Sequence, residues 1–134
     1  MRDLKNNLLT VISLYLQALT QAADGDAIID LAGFEGALIQ IFSGTITDGT
    51  SYEFELTHGD DSALSDGAAV PDTDLNGSEP TFLAADDDEI KEFGYHGTKR
   101  YLRVDLKTVV GSPSTGGIFA AAVVKGIPRH APAV

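Results

Sequence analysis

The chain has 134 residues, a formal net charge of −11, fourteen glycines and neither cysteine nor tryptophan. The length suits one domain with a two-layer core. The missing cysteines exclude disulfides, thiolate metal sites and a thiol nucleophile, and suit a protein made in a reducing cytosol. The acidic balance disfavours a nucleic-acid partner, which would need a basic face. The charge is segregated: Asp48 to Glu92 holds fourteen acids and one base, Lys91, whereas Lys99 to Arg129 holds six bases and one acid, Asp105. Arg2 and Lys5 make the N-terminus basic as well, so the two signs are expected on different surfaces.

Residues 1–22 are ambiguous by periodicity. Leu8, Val11, Ile12, Tyr15 and Leu19 have helical spacing, while Leu8, Ile12, Leu14 and Leu16 fit one face of a strand. Asp3, Asn6 and Asn7 at the start, with Thr10, Ser13 and Gln17 inside the apolar run, argue against a secretion signal. No run approaches the roughly 20 apolar residues of a membrane-spanning helix, so no membrane partner is expected.

From residue 23 onward the punctuation is that of an all-β chain. Ala27 to Leu31 reads as a short strand and Ala37 to Phe42 as a buried one, with turns at Asp24-Gly25-Asp26 and over Ala32 to Gly36. Thr47-Asp48-Gly49-Thr50 reads as a hairpin turn. In Ser51 to Thr57, alternation predicts Tyr52, Phe54 and Leu56 inward and Glu53, Glu55 and Thr57 outward. Residues 58–88 read as long acidic loops with a short strand at Thr81 to Leu83.

Ile90 to Tyr95 resumes the strand pattern, and Phe93 to Leu106 forms the first arm of an expected C-terminal hairpin. Leu102, Val104 and Leu106 share one face there, with Tyr101, Arg103 and Asp105 on the other. Its second arm, Ile118 to Pro128, is apolar and small, the composition of a strand covered on both faces. Gly111 to Gly117 supplies the turn, and the tail from Pro128 to Val134 is expected to run over the surface.

Chemical motifs are weak. Asp72 to Gly77 opens like a calcium loop, but its closing position holds Leu83 rather than a carboxylate, and the stretch reads as an Asp/Asn/Gly loop. Asp86 to Glu89 puts four carboxylates on successive residues, which cannot easily converge on one ion. His58, His96 and His130 lack metal or triad spacing, and no serine lies in a nucleophile elbow. The sequence predicts no catalytic residues, no metal site and no cofactor. Tyr101 and Arg103 side by side on a strand face are either a binding anchor or a packed pair in which Arg103 meets an acid such as Asp105 or Glu92.

Five blocks in order carry a family resemblance. They are DLKNN (Asp3 to Asn7), DLAGFEGALIQIF (Asp30 to Phe42), TDGT (Thr47 to Thr50), GYHGTKRYLRV (Gly94 to Val104) and AAAVVKGIPRHAP (Ala120 to Pro132). Together they resemble small structural proteins of tailed bacteriophages associated with capsid decoration or cement. The resemblance implies a single jelly-roll-like antiparallel β-sandwich over 1–134, with an extended N-terminal arm over 1–22 and a tail over 128–134. It implies a virion protein on the capsid exterior that bridges major capsid protein subunits and forms a homo-oligomer, a dimer rather than a trimer. The residues expected to meet the capsid or a second copy are Arg2, Lys5, Lys99, Arg100, Tyr101 and Arg103. The alternatives are a carbohydrate- or receptor-binding sandwich module and a head–tail connector or tail component.

Overall fold

A computed structural model describes residues 3–128. Among them lie ten β-strands and one short 3₁₀ turn. The strands are β1 (Leu9–Leu19), β2 (Ile29–Asp30), β3 (Phe34–Ile46), β4 (Ser51–Gly59), β5 (Ala68–Ala69), β6 (Leu75–Asn76), β7 (Thr81–Leu83), β8 (Ile90–Tyr95), β9 (Tyr101–Val110) and β10 (Gly117–Pro128). They build two antiparallel sheets. The first has the order β1-β10-β3-β8-β6, and the second β2-β9-β4-β5, with β7 also paired to β4. Leaving out the two-residue strands β5 and β6, the orders β1-β10-β3-β8 and β2-β9-β4-β7 are those of an eight-stranded jelly roll. The expected sandwich is what the chain forms.

The core lies between the inward faces of the sheets. Tyr52, Phe54, Phe82 and Phe119 interlock at its centre, with ring centroids 4.9 to 5.7 Å apart in tilted or edge-on contacts. Leu14, Ile39, Ile41, Leu56, Leu102, Val104 and Val123 pack around them with almost no exposed surface. The inward row Tyr52, Phe54 and Leu56 matches its alternation, and so does Leu102, Val104 and Leu106. Thr57 faces outward as expected but is covered there, its hydroxyl donating to Asp105 at 2.7 Å.

The expected C-terminal hairpin does not exist. The run Phe93 to Leu106 is two strands, broken at 96–100, with β8 in the first sheet and β9 in the second. β9 pairs with β4 and β2, while β10 pairs with β1 and β3. Gly111 to Gly117 therefore passes between layers. Thr47 to Thr50 does the same, carrying β3 of the first sheet into β4 of the second, so it is not a hairpin turn either. In a jelly roll most sequence neighbours sit in opposite sheets, and strand alternation alone cannot report this.

The N-terminal ambiguity resolves as strand. The segment is extended as the resemblance implied, but Leu9–Leu19 is no free arm: it is the edge strand of the first sheet, with Ser13 and Leu14 wholly buried. The buried strand expected at Ala37 to Phe42 runs longer, from Phe34 to Ile46, and the one at Ala27 to Leu31 shrinks to Ile29–Asp30. Thr81 to Leu83 and Ile90 to Tyr95 are strands as expected. Pro128 closes β10 opposite Phe34, so the sheet reaches it, and the rest of the expected tail lies outside the described residues.

Candidate interaction surface

Strand register gathers three of the resemblance blocks at one end of the sandwich. Leu9 pairs with Lys125, Lys125 with Ala37, and Ala37 with Tyr95, so the start of β1, the end of β10, the start of β3 and the end of β8 form one row. Asp30 pairs with Tyr101 at the same end. Arg100 grips Asp30 through two bonds, Nε to Oδ1 at 2.8 Å and Nη2 to Oδ2 at 2.9 Å, which holds the Asp30 carboxyl below its usual pKa. Lys125 reaches the same residue from β10, donating to the Asp30 carbonyl at 3.1 Å while its ammonium lies 4.8 Å from the centre of the Phe34 ring.

Two hollows open there. One, of about 560 Å³, is lined by residues from 31–36 and 95–100, including Phe34, His96, Lys99 and Arg100. The other, of about 360 Å³, lies on the outside of the first sheet and is lined chiefly by apolar groups such as Leu8, Leu38, Val124 and Ile127. Glu35, Gly36, Tyr95 and His96 border both and form the rim that the two hollows share. Below it, His58 is buried with Nδ1 2.9 Å from the Tyr95 hydroxyl, and burial holds its pKa below the usual histidine value. His58 lies in β4 rather than in a loop, and His96 follows β8, where its N–H donates to the Asp74 carbonyl at 2.9 Å. His130 lies outside the described residues.

The cations expected to make contact are divided. Lys99, Arg100 and Tyr101 sit together at this end, with Lys99 3.0 Å from Asp60 and the Arg100 guanidinium stacked 5.1 Å from the Tyr101 ring. Lys5 is exposed just before β1, and Arg2 lies outside the described residues. Arg103 faces a different environment on the outer surface of the second sheet. Its Nε donates to Asp105 Oδ1 at 2.6 Å, and Asp24 lies 3.5 Å away.

Asp105 is the hub of that cluster. It also accepts the Gly25 N–H at 2.8 Å and the Thr57 hydroxyl, so of the two sequence readings of Arg103 the geometry matches the packed pair with Asp105. Glu92, the other acid considered, accepts instead from Gln40 at 2.6 Å. Gly25 must be glycine here: a Cβ would sit 2.3 Å from the Val104 carbonyl oxygen. The only hint of this hub in the sequence was Asp105 itself, the one acid in a basic stretch.

The acidic segments are partly tied down by their own backbone. Asp86 accepts the Leu83 N–H at 2.8 Å and pairs with Lys91 at 3.0 Å, and Asp87 accepts the Ile46 N–H at 3.1 Å. The calcium-like stretch forms a 3₁₀ turn at Asp72–Asp74 and then enters the first sheet as β6. No group of three or more metal-ligating side chains occurs among the described residues.

The surface that alternation missed is the outer face of the first sheet. Residues directly paired across a sheet share a face. Ile12–Ala122–Gln40–Glu92 and Thr10–Val124–Leu38–Gly94 are two rows running across four strands, and Ala120–Phe42–Ile90 is a third. Glu92 is the one charged side chain in these rows. Ile12, Leu38, Ile90 and Ile118 expose 37 to 57% of their surface. The second sheet is the opposite, its outer face carrying Glu53, Glu55, Arg103, Asp105 and Lys107, with Lys107 3.0 Å from Glu55.

The molecule is therefore an antiparallel jelly-roll sandwich with one charged and one apolar outer face. Its architecture is shared with the SPBc2 prophage-derived protein YomS, whose crystal structure superposes with a TM-score of 0.53 at 16% identity, over 88% of this chain and 92% of the other. At that identity the likeness establishes the fold. No protein-family model and no curated protein matches the chain.

Proposed function

We propose that this chain is a structural protein of a phage particle, a head decoration protein that binds the outside of the capsid and stabilises it by bridging major capsid protein subunits. The observation that carries the reading is the outer face of the first sheet, with Glu92 the one charge in its rows over four strands of a domain with net charge −11, which marks a chain built to assemble with others. Solvent-facing antiparallel sheets ordinarily alternate apolar and polar residues. A face that does not is built to be covered. The prophage origin of the neighbouring fold supports a phage setting, and the resemblance of the five sequence blocks supports the head.

The capsid-facing part of the molecule is the end bearing Lys99, Arg100 and Tyr101, where two of the longest blocks meet. A protein that binds the assembled shell better than free subunits favours the closed particle by mass action. Weak contacts suffice when each copy spans several subunits. The test is binding of purified protein to heads assembled without it, scored by co-sedimentation and by heat resistance. Wild-type protein should saturate the heads and raise their disruption temperature. Lys99→Glu combined with Tyr101→Ala should weaken saturation binding severalfold, with the thermal unfolding of the free protein unchanged. Heads that bind no protein would refute the proposal.

A further inference from the structure

We infer that the outer face of the first sheet is the contact between two copies of this chain, packed sheet against sheet about a two-fold axis parallel to the strands. β10 shows what the monomer lacks. Its sequence is that of a strand covered on both faces, yet the sandwich covers only the side bearing Phe119, Ala121 and Val123. On the other side Ala122 is buried among its neighbours, but Ala120 and Val124 are only half-buried and Ile118 is exposed, and among the described residues no second layer covers that side.

The face is complementary to itself. β10 presents the smaller row, Ala120 and Ala122, beside the bulkier Leu38, Gln40 and Phe42 of β3. A two-fold axis running between these neighbouring strands lays each copy's β3 row over the other's β10 row, so large residues meet small ones. Four strands about 4.8 Å apart, with about nine residues each at about 3.4 Å, give a face on the order of 500 Å² in projection. Side-chain relief brings that towards the roughly 800 Å² per partner of a standard stable interface.

Charge selects a second copy as the occupant. Two chains of net charge −11 repel wherever their acidic loops or the charged second sheet approach one another. Among the described residues the charges here are Glu92, which is already bonded to Gln40, and Glu35 at the rim. Like-charged copies can thus meet here without opposing like charges across the contact.

The inference does not depend on which particle the protein joins, and its test uses the free full-length chain. Light scattering after size exclusion at high micromolar concentration should give twice the chain mass for wild type. Leu38→Glu, on this face, should give a monomer with unchanged circular dichroism. Leu83→Glu, a more exposed leucine on the second sheet, should remain a dimer. Should Leu38→Glu fail to fold, Ile90→Glu on the same face serves, with the same monomer expected. A monomeric wild type, or a dimer that survives both face substitutions, overturns the inference. If wild type is monomeric and Leu38→Glu abolishes head binding, the capsid covers this face: the dimer fails and the decoration reading stands. A dimer that binds no heads is the reverse case.

Discussion

Asp105 shows how a residue that looks like part of a contact surface can instead hold the fold together. It is buried, and it satisfies Arg103, Thr57 and the backbone of Gly25 at once. Replacing it with alanine leaves a partly buried guanidinium and a backbone N–H without their acceptor. Loss of one partner of such a pair costs about 3 kcal/mol, and chemical denaturation of Asp105→Ala should show a loss of that order. Glu79 works the other way. Its carboxylate accepts the Leu56 N–H inside the second sheet, and burial raises its pKa above the ordinary glutamate value of 4.5. The folded state then binds the proton more tightly than the unfolded one, so this group adds stability at low pH and loses it as pH rises through the folded pKa. Glu79→Gln keeps an acceptor without the charge. It should melt higher than wild type at neutral pH, and the difference should vanish as pH falls below the carboxylate range. Neither role was visible in the sequence, since both depend on which backbone the chain brings alongside.

At the scale of elements, the strands themselves were legible and their partners were not. The alternation in β4 and β9 identified the inward residues, and β8 had its observed bounds, because period-2 patterning reports one strand's own two faces. Pairing is non-local, and here it connects β1 to β10 and β3 to β8. The length of Gly111 to Gly117 was the available warning, since a tight hairpin needs only a few residues. Asp48 explains what those residues do. Its carboxylate accepts the N–H groups of Ser114, Thr115 and Gly116 at 2.6 to 3.3 Å, clamping the β9–β10 crossing onto the β3–β4 crossing. These backbone donors lower its pKa to about 2. The sign is the usual carboxylate one: the stabilisation is present above the unfolded value of 3.8 and is lost as pH falls through the folded value. Asp48→Asn should lower the melting temperature at neutral pH, and its melting curve should change less than that of wild type between about pH 4 and pH 2.

For the whole molecule, composition announced the all-β class and the segregation of charge, but not where the charge would go. Among the described residues the basic C-terminal third forms no free basic surface, because Lys99, Arg100, Arg103 and Lys107 are each paired with an acid from elsewhere in the chain or, for Arg103, from its own strand. What distinguishes the molecule is the contrast between its two outer faces. The small, apolar sequence of β10 did signal cover on both sides, and the inferred second copy would complete the cover that the described residues leave partial on its outer side. On this account the jelly roll is an assembly module that pairs through its first sheet and meets the capsid with the Lys99–Tyr101 end. The most direct measurement of that claim is the copy number of this protein relative to the major capsid protein in purified particles, by quantitative mass spectrometry. The account predicts a fixed ratio commensurate with the capsid lattice. A count equal to one ring at a single vertex, or absence from the particle, would contradict it.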